Sequence, residues 1–464
     1  MNSKYKKLFK DTFIFAIGSL GSKLILFLMV PLYTHFMTDE DYGTADLVFT
    51  FSQFIVPFLS LVIFDSVIRF GLSKNEKKEN VLLVSFIILG FSSIVSVMIT
   101  PLIGLYHTIS DWKWYLCIYV IASILNSIEM NYLKAKEKNK IFALLSILQT
   151  GLMASLNVAF LVYLRMGVKG YLLAYIVSCI VVDILAFSFG NVFQDLRKAE
   201  FDKSLLKNMI VYSTPLIFNN VSWWIIHSSD KIMVEVMVST AALGIYTVAA
   251  KIPSLINVFV TVFQQAWGIS TVKEIESTND SNYYSLIFKY YTLITLSACI
   301  FLVGIIKYFM MFYVGAEFQS AWKYVPLLLV SAVFASIAGY YGSLYGALKK
   351  SVNNMLTTLI AAVVNITVNF LFIPFIGIWG AVIGTVCAYI VIALARMKDV
   401  GRFIKIKVDY LRLALNATII LVQSITVSLD YYGEIFTVAS IILFIVINRQ
   451  DLMNILNIRR KNNK

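Results

Sequence analysis

Asn219, Asn220, Trp223, Trp224, His227, Asp230, Lys231 and Glu235 recur at three- and four-residue spacing inside an otherwise apolar stretch. On a helix, that spacing gathers carboxamides, indoles, an imidazole and both charge signs on one face. A lipid-facing helix could not carry such a stripe. Either it lines a water-filled cavity, which the number of polar groups favours, or it packs between helices with Asp230 and Lys231 paired to neighbours. Lys23 and Lys251 each stand near the middle of an apolar run, too far from its ends for their ammonium groups to reach water comfortably, and read as cations lining a cavity. Lys307, nearer the end of its run, reads as snorkelling. Asp183 has no cation on its own run. It is a candidate proton or sodium site, or a protonated acid bonded to a neighbouring helix. Asp65 and Arg69, four residues apart, could neutralise one another near a helix end.

Other chemistries find no support. His35, His107 and His227 are too scattered for a metal cluster, and no nucleotide-binding loop, zinc-protease helix or nucleophile elbow is present. Cys117, Cys179, Cys299 and Cys387 all fall in apolar runs, where they act as small hydrophobes. The expectation is a protein that is not an enzyme and carries no cofactor, with coupling to H+ or Na+ through Asp183 and Asp230.

The elements that must position these residues are membrane helices. Of 464 residues, 59% are hydrophobic and 14% charged, a balance foreign to soluble domains. Apolar runs of about 20 residues, each enough to cross a hydrocarbon core as a helix, recur from end to end. The first half places spans at 11–36, 44–69, 80–106, 114–133, 141–164 and 170–190. The second places them at 208–237, 241–270, 284–313, 321–347, 352–375 and 378–397, with a terminal pair at 410–429 and 434–448. The reading is an all-α polytopic membrane protein of about fourteen transmembrane helices. Its parts are an N-terminal lobe over 1–190, a connector over 191–207, a C-terminal lobe over 208–397, and a helix pair with a basic tail over 398–464. The longest connection is basic and polar, with no room for a soluble catalytic domain.

The net charge of +13 does not point to nucleic acid, because the basic residues sit in alternate short connections. Lys4 to Lys10, Lys74 to Lys78, Lys134 to Lys140, Arg197 to Lys207, Lys349 and Lys350, Lys398 to Lys407 and the C-terminal cluster share one side. The other side holds little beyond Lys113, Arg165, Lys169 and Lys323. By the positive-inside rule both termini are cytoplasmic, in a bacterial inner membrane. The first apolar run is longer than a signal-peptide core and reads as a retained helix.

A faint repeat relates the halves. Gly167-Val168-Lys169-Gly170 returns as Gly377-Ile378-Trp379-Gly380, Tyr42-Gly43 as Leu243-Gly244, and the helix end at Tyr132 to Lys136 as Tyr345 to Lys350. Chance likeness between apolar helices is the alternative; a true repeat gives two six-helix lobes entered from the same side. Pro31, Pro57, Pro215, Pro253 and Pro326 fall inside the expected helices and could kink them.

The stretch from Phe15-Ala16-Ile17-Gly18-Ser19-Leu20-Gly21-Ser22-Lys23 through Pro31-Leu32-Tyr33-Thr34 to Asp41-Tyr42-Gly43-Thr44-Ala45 resembles the start of Wzx-type polysaccharide flippases. Asp65 to Phe70, Leu243-Gly244-Ile245-Tyr246 and Lys349-Lys350 add to the likeness. These flippases belong to the superfamily of multidrug, oligosaccharidyl-lipid and polysaccharide exporters. The resemblance implies a V-shaped bundle of two lobes that carries an undecaprenyl-diphosphate-linked oligosaccharide from the cytoplasmic to the outer leaflet by alternating access. It also implies membrane lipids and polysaccharide-assembly proteins as partners. Lys23, Arg69, Lys231 and Lys251 would match the diphosphate. Asn219, Asn220, Trp223 and Trp224 would hold the glycan by amide bonds and ring stacking. A drug or cation antiporter of the same superfamily is the first alternative, disfavoured because the mid-membrane charges are lysines. A membrane polymerase or ligase of polysaccharide assembly is the second, disfavoured by the lack of a large outer loop.

Overall fold

The computed structural model describes residues 21, 24–73, 76–276, 280–348 and 350–462, and every regular element among them is helical. The chain divides into two compact units, Met1–Ser229 and Asp230–Lys464. The first holds α1 (Val30–Phe36), α2 (Asp39–Leu59), α3 (Ile63–Gly71), α4 (Lys78–Ile103), α5 (Lys113–Ala135), α6 (Asn139–Asn157), α7 (Gly167–Gly190), α8 (Val192–Lys198) and most of α9 (Lys203–Met237). The second holds the end of α9, then α10 (Thr240–Lys251), α11 (Pro253–Glu276), α12 (Ser281–Tyr313), α13 (Val325–Ala347), α14 (Ser351–Ile376), α15 (Ile378–Val400), α16 (Tyr410–Ser428) and α17 (Gly433–Asn462).

Among the described residues, 11 helices are long and apolar enough to cross a membrane, or 12 when the bent pair α2 and α3 counts as one span. Two of the fourteen expected spans lie outside that number. The first falls largely on undescribed residues, leaving the short apolar helix Leu24–Phe36. The other is α9, whose 35 residues carry the polar stripe that dilutes its hydropathy. Phe312, Phe375 and Leu105 are 88%, 85% and 81% exposed, an apolar surface that only lipid can solvate. The chain is a multi-pass membrane protein.

Each feature of the sequence repeat has a physical counterpart. Thr38 caps α2 by accepting the Asp41 N–H, and Ser239 caps α10 by accepting the Ala242 N–H, each five residues before Gly43 and Gly244. Gly167 and Gly377 open α7 and α15 with φ of +51° and +58°, a backbone that favours glycine. Gly170 and Gly380 then let each helix close on the preceding one. A Cβ on Gly170 would lie 2.9 Å from Met166 Cβ and 3.0 Å from Phe160 Cβ; on Gly380 it would lie 2.4 Å from the Ile373 backbone nitrogen. The buried Tyr132 hydroxyl of α5 donates to Asp195 Oδ2 of α8 at 2.8 Å, and the buried Tyr345 hydroxyl of α13 donates to Asp399 Oδ2 of α15 at 2.7 Å. In both units the helix carrying that tyrosine packs on the helix opened by the glycine pair: α5 on α7, and α13 on α15.

Several helix breaks have local causes. Between α2 and α3, Leu61 and Val62 take φ of 49° and 52°, and the two helices bend by 54°. Ser92 of α4 donates to the freed Leu59 carbonyl at 2.6 Å, which keeps the break satisfied. Pro57 lies within α2 and Pro215 within α9, whereas Pro253 begins α11 and Pro326 stands in the first turn of α13. The last two therefore initiate helices, since a first-turn proline lacks only an N–H that has no partner in the helix. The final helix pair is joined by polar contacts. Asn416 and Asn448 exchange side-chain amide bonds of 3.3 and 3.0 Å, and Asp451 receives Arg412 at 2.6 Å and Lys289 of α12 at 2.5 Å.

Candidate functional site

The polar stripe of α9 is divided between the two units, and its described members have different surroundings. Asp230 is buried at the start of the second unit. Its carboxylate accepts the Lys231 backbone N–H at 3.0 Å, the Thr385 hydroxyl of α15 at 3.3 Å, and the Tyr246 hydroxyl of α10. Three elements thus converge on one acid, each supplying a donor. Such donors stabilise an anion. Lys231 and Lys251 are half-buried in this unit, Lys251 as the last residue of α10, where the chain breaks before Pro253.

In the first unit Trp224 is half-buried, its ring centroid 4.6 Å from that of Phe54 and its Nε1–H donated to the Thr50 carbonyl at 3.1 Å. Asn220 donates to the Leu216 carbonyl of its own helix at 2.9 Å. The side chains of Asn219 and Trp223 are not among those described, and Lys23 lies outside the described residues. Arg69 is exposed at the end of α3. Asp65 has Lys134 of α5 as an electrostatic neighbour on another helix.

Asp183 is buried on α7 and accepts the Asn126 side-chain N–H of α5 at 2.7 Å. Its second oxygen has no hydrogen-bond partner among the described residues. It lines a cavity of about 530 Å³ whose walls come from α5 and α7. Four residues that sequence reasoning passes over belong with these groups. Tyr246 and Thr385 complete the Asp230 cluster, Glu129 lines the Asp183 cavity, and Arg396 is buried in the second unit. Tyr246 and Thr385 look like ordinary membrane-helix residues. Glu129 and Arg396 stand close to basic helix ends and resemble interfacial charges. Among the described residues no group of three or more His, Cys, Asp and Glu could hold a metal ion.

Fold and polar clusters together define a multi-pass, all-α membrane protein with ionisable groups buried in both units. A family model for polysaccharide biosynthesis proteins matches residues 8–267, more than half of the chain, and the chain belongs to that family. A Haemophilus influenzae protein of the Lsg locus is 23% identical over 263 residues, 56% of this chain and 65% of the relative, so the match spans a little under two thirds of that relative's length. Among solved structures, the lipid II flippase MurJ in an inward closed conformation is similar with a TM-score of 0.69 at 14% identity, over 95% of this chain and 100% of that one. An inward-facing multidrug resistance transporter of the MATE family, in the MOP superfamily, is similar with a TM-score of 0.63 at 16% identity, over 81% of this chain and 98% of the other. The fold is that of flippases and multidrug exporters.

Proposed function

We propose that the protein is a flippase that moves an undecaprenyl-diphosphate-linked oligosaccharide from the cytoplasmic to the outer leaflet for surface polysaccharide assembly. The observation that carries this reading is the extent of the likeness. The polysaccharide family model covers residues 8–267, and the lipid II flippase fold accommodates 95% of the chain where the multidrug transporter fold accommodates 81–84%. Alternating access of two lobes, 1–190 and 208–397 about the 191–207 connector, would expose the cargo to each leaflet in turn. Lys23, Arg69, Lys231 and Lys251 would match the diphosphate, and Asn219, Asn220, Trp223 and Trp224 the glycan. Asp230, with its three donors, is the candidate for coupling to H+ or Na+ in the second unit, and Asp183 in the first. The inner membrane, cytoplasmic termini and polysaccharide-assembly partners belong to the same reading. The shared fold also supports an ion-coupled drug or cation antiporter as the second reading.

The test reconstitutes the chain in liposomes carrying undecaprenyl-diphosphate-linked oligosaccharide and follows glycan exposure with a membrane-impermeant glycosidase. Protein-dependent exposure is expected. It should fall at least about tenfold in Lys251→Ala, the equivalent of removing one charge-assisted contact, and be retained in Lys251→Arg. Collapsing the proton and sodium gradients separately identifies the coupling ion. Absence of glycan exposure together with gradient-driven efflux of an organic cation overturns the flippase reading in favour of the antiporter.

A further inference from the structure

Glu129 of α5 is 1% exposed, and among the described residues neither of its carboxyl oxygens has a hydrogen-bond partner. It lies three residues after Asn126, on the same helix face, and Asn126 donates to Asp183 of α7. Glu129 and Asp183 line one cavity, whose other walls include Ile118, Leu125, Ile180 and Ile184. Ile118, Ile180 and Ile184 are 48%, 41% and 62% exposed, so the cavity opens on the lipid-facing side of the α5–α7 pair. Among the described residues no basic side chain bonds either acid. The groups that face them are Cys179 of α7 and each other, while Lys134, further along α5, has Asp65 of α3 as its neighbour.

We infer that Glu129 and Asp183 form a proton-binding carboxyl pair, with the proton on Glu129. Two carboxylates in an apolar cavity cannot both be ionised, and the one with the better donors keeps the charge. Asn126 gives Asp183 its donor, and Glu129 has none. A metal ion is a poor occupant: the unpartnered oxygens number three, Glu129 Oε1 and Oε2 and Asp183 Oδ2, in walls otherwise almost wholly apolar. Hard cations take about six oxygen ligands. A proton needs one. The pair lies about 9–11 Å inside the ends of α5 at Ala135 and α7 at Gly190 at a helical rise of roughly 1.5 Å per residue, and at that end Lys136 and Lys138 donate to the Gly190 and Phe189 carbonyls, within reach of exchange with water. The inference deepens the ion-coupling part of the function proposed above, and its test needs no cargo, so the two can fail separately.

The purified full chain is treated with dicyclohexylcarbodiimide, an apolar reagent that adds to protonated carboxyls in membrane settings, and the modified residue is located by peptide mass spectrometry. Modification of Glu129 is expected, its extent falling about tenfold per pH unit above the midpoint of a one-proton titration. Saturating sodium chloride at constant pH should leave it unchanged. Asp183→Asn should lower modification at a fixed pH, because the neighbouring anion that favours the protonated form is gone; Glu129→Gln should abolish the signal. An unmodified Glu129 at every pH, with other carboxyls labelled, overturns the proposal, as does protection by sodium. The wild-type profile alone decides should either variant fail to fold.

Discussion

On α5 the residue three before Tyr132 is Glu129, which shares a cavity with Asp183 of α7; on α13 the residue three before Tyr345 is Gly342, and its space is taken by the Arg396 guanidinium of α15. A Cβ on Gly342 would lie 2.7 Å from Arg396 Nη1. The two helix pairs share their opening glycines and a tyrosine-to-aspartate bond, made to α8 in the first unit and within the pair in the second, yet bury an acid in one and a base in the other at nearly the same station. Satisfaction separates them. Arg396 donates to Thr357 Oγ1 at 3.2 Å, Thr358 Oγ1 at 2.9 Å and the Ala338 carbonyl at 2.8 Å, tying α13, α14 and α15 together. Glu129 has no donor among the described residues. A buried guanidinium with every nitrogen bonded is a fixed structural member. A buried acid without such bonds stays neutral, and that leaves it free to exchange a proton.

The comparison is most exposed to a paired substitution. Arg396→Met strands three acceptors in the core of the second unit and is expected to destabilise the detergent-solubilised protein by about 3 kcal/mol or more. Glu129→Gln, in the first unit, should stay within about 1 kcal/mol of the parent. Thermal and denaturant unfolding read both, and equal losses would break the distinction between fixed and exchangeable groups.

The glycine pairs sharpen the comparison at the next scale. Gly380→Ala places a methyl group against the backbone of Ile373 and should cost about 2–3 kcal/mol, whereas Gly170→Ala meets side-chain carbons that can shift and should cost about 1 kcal/mol. The reverse order would mean that α7 and α15 are not held alike. Tyr132→Phe and Tyr345→Phe should each lose one bond to an aspartate and about 1.5 kcal/mol. Equal losses support a common ancestry of the two helix pairs, and a difference well beyond about 1 kcal/mol would tell against it.

The spans and the repeat were legible because long apolar runs and glycine spacing are local properties. Gly167 and Gly377 could be paired by eye, and the structure supplies the shared reason, a left-handed backbone at each helix start. The polar sites were legible only in part. Asp183 and Asp230 stood out as acids within apolar sequence, but their partners lie 57, 16 and 155 residues away, at Asn126, Tyr246 and Thr385. No local pattern encodes such contacts. Glu129 was masked by the lysines that follow it and Arg396 by Lys398 and Arg402, because a charge near a helix end resembles an interfacial anchor unless its depth and partners are known.

The amide exchange between Asn416 and Asn448 bears on how the protein is made. When α16 leaves the ribosome ahead of α17, Asn416 lacks its Asn448 partner, and a lone carboxamide in hydrocarbon disfavours insertion. The two helices therefore suit delivery to lipid as a hairpin, partners already matched. A chain that stops between Ser428 and Gly433 would present an orphan helix, the kind of segment that membrane proteases remove.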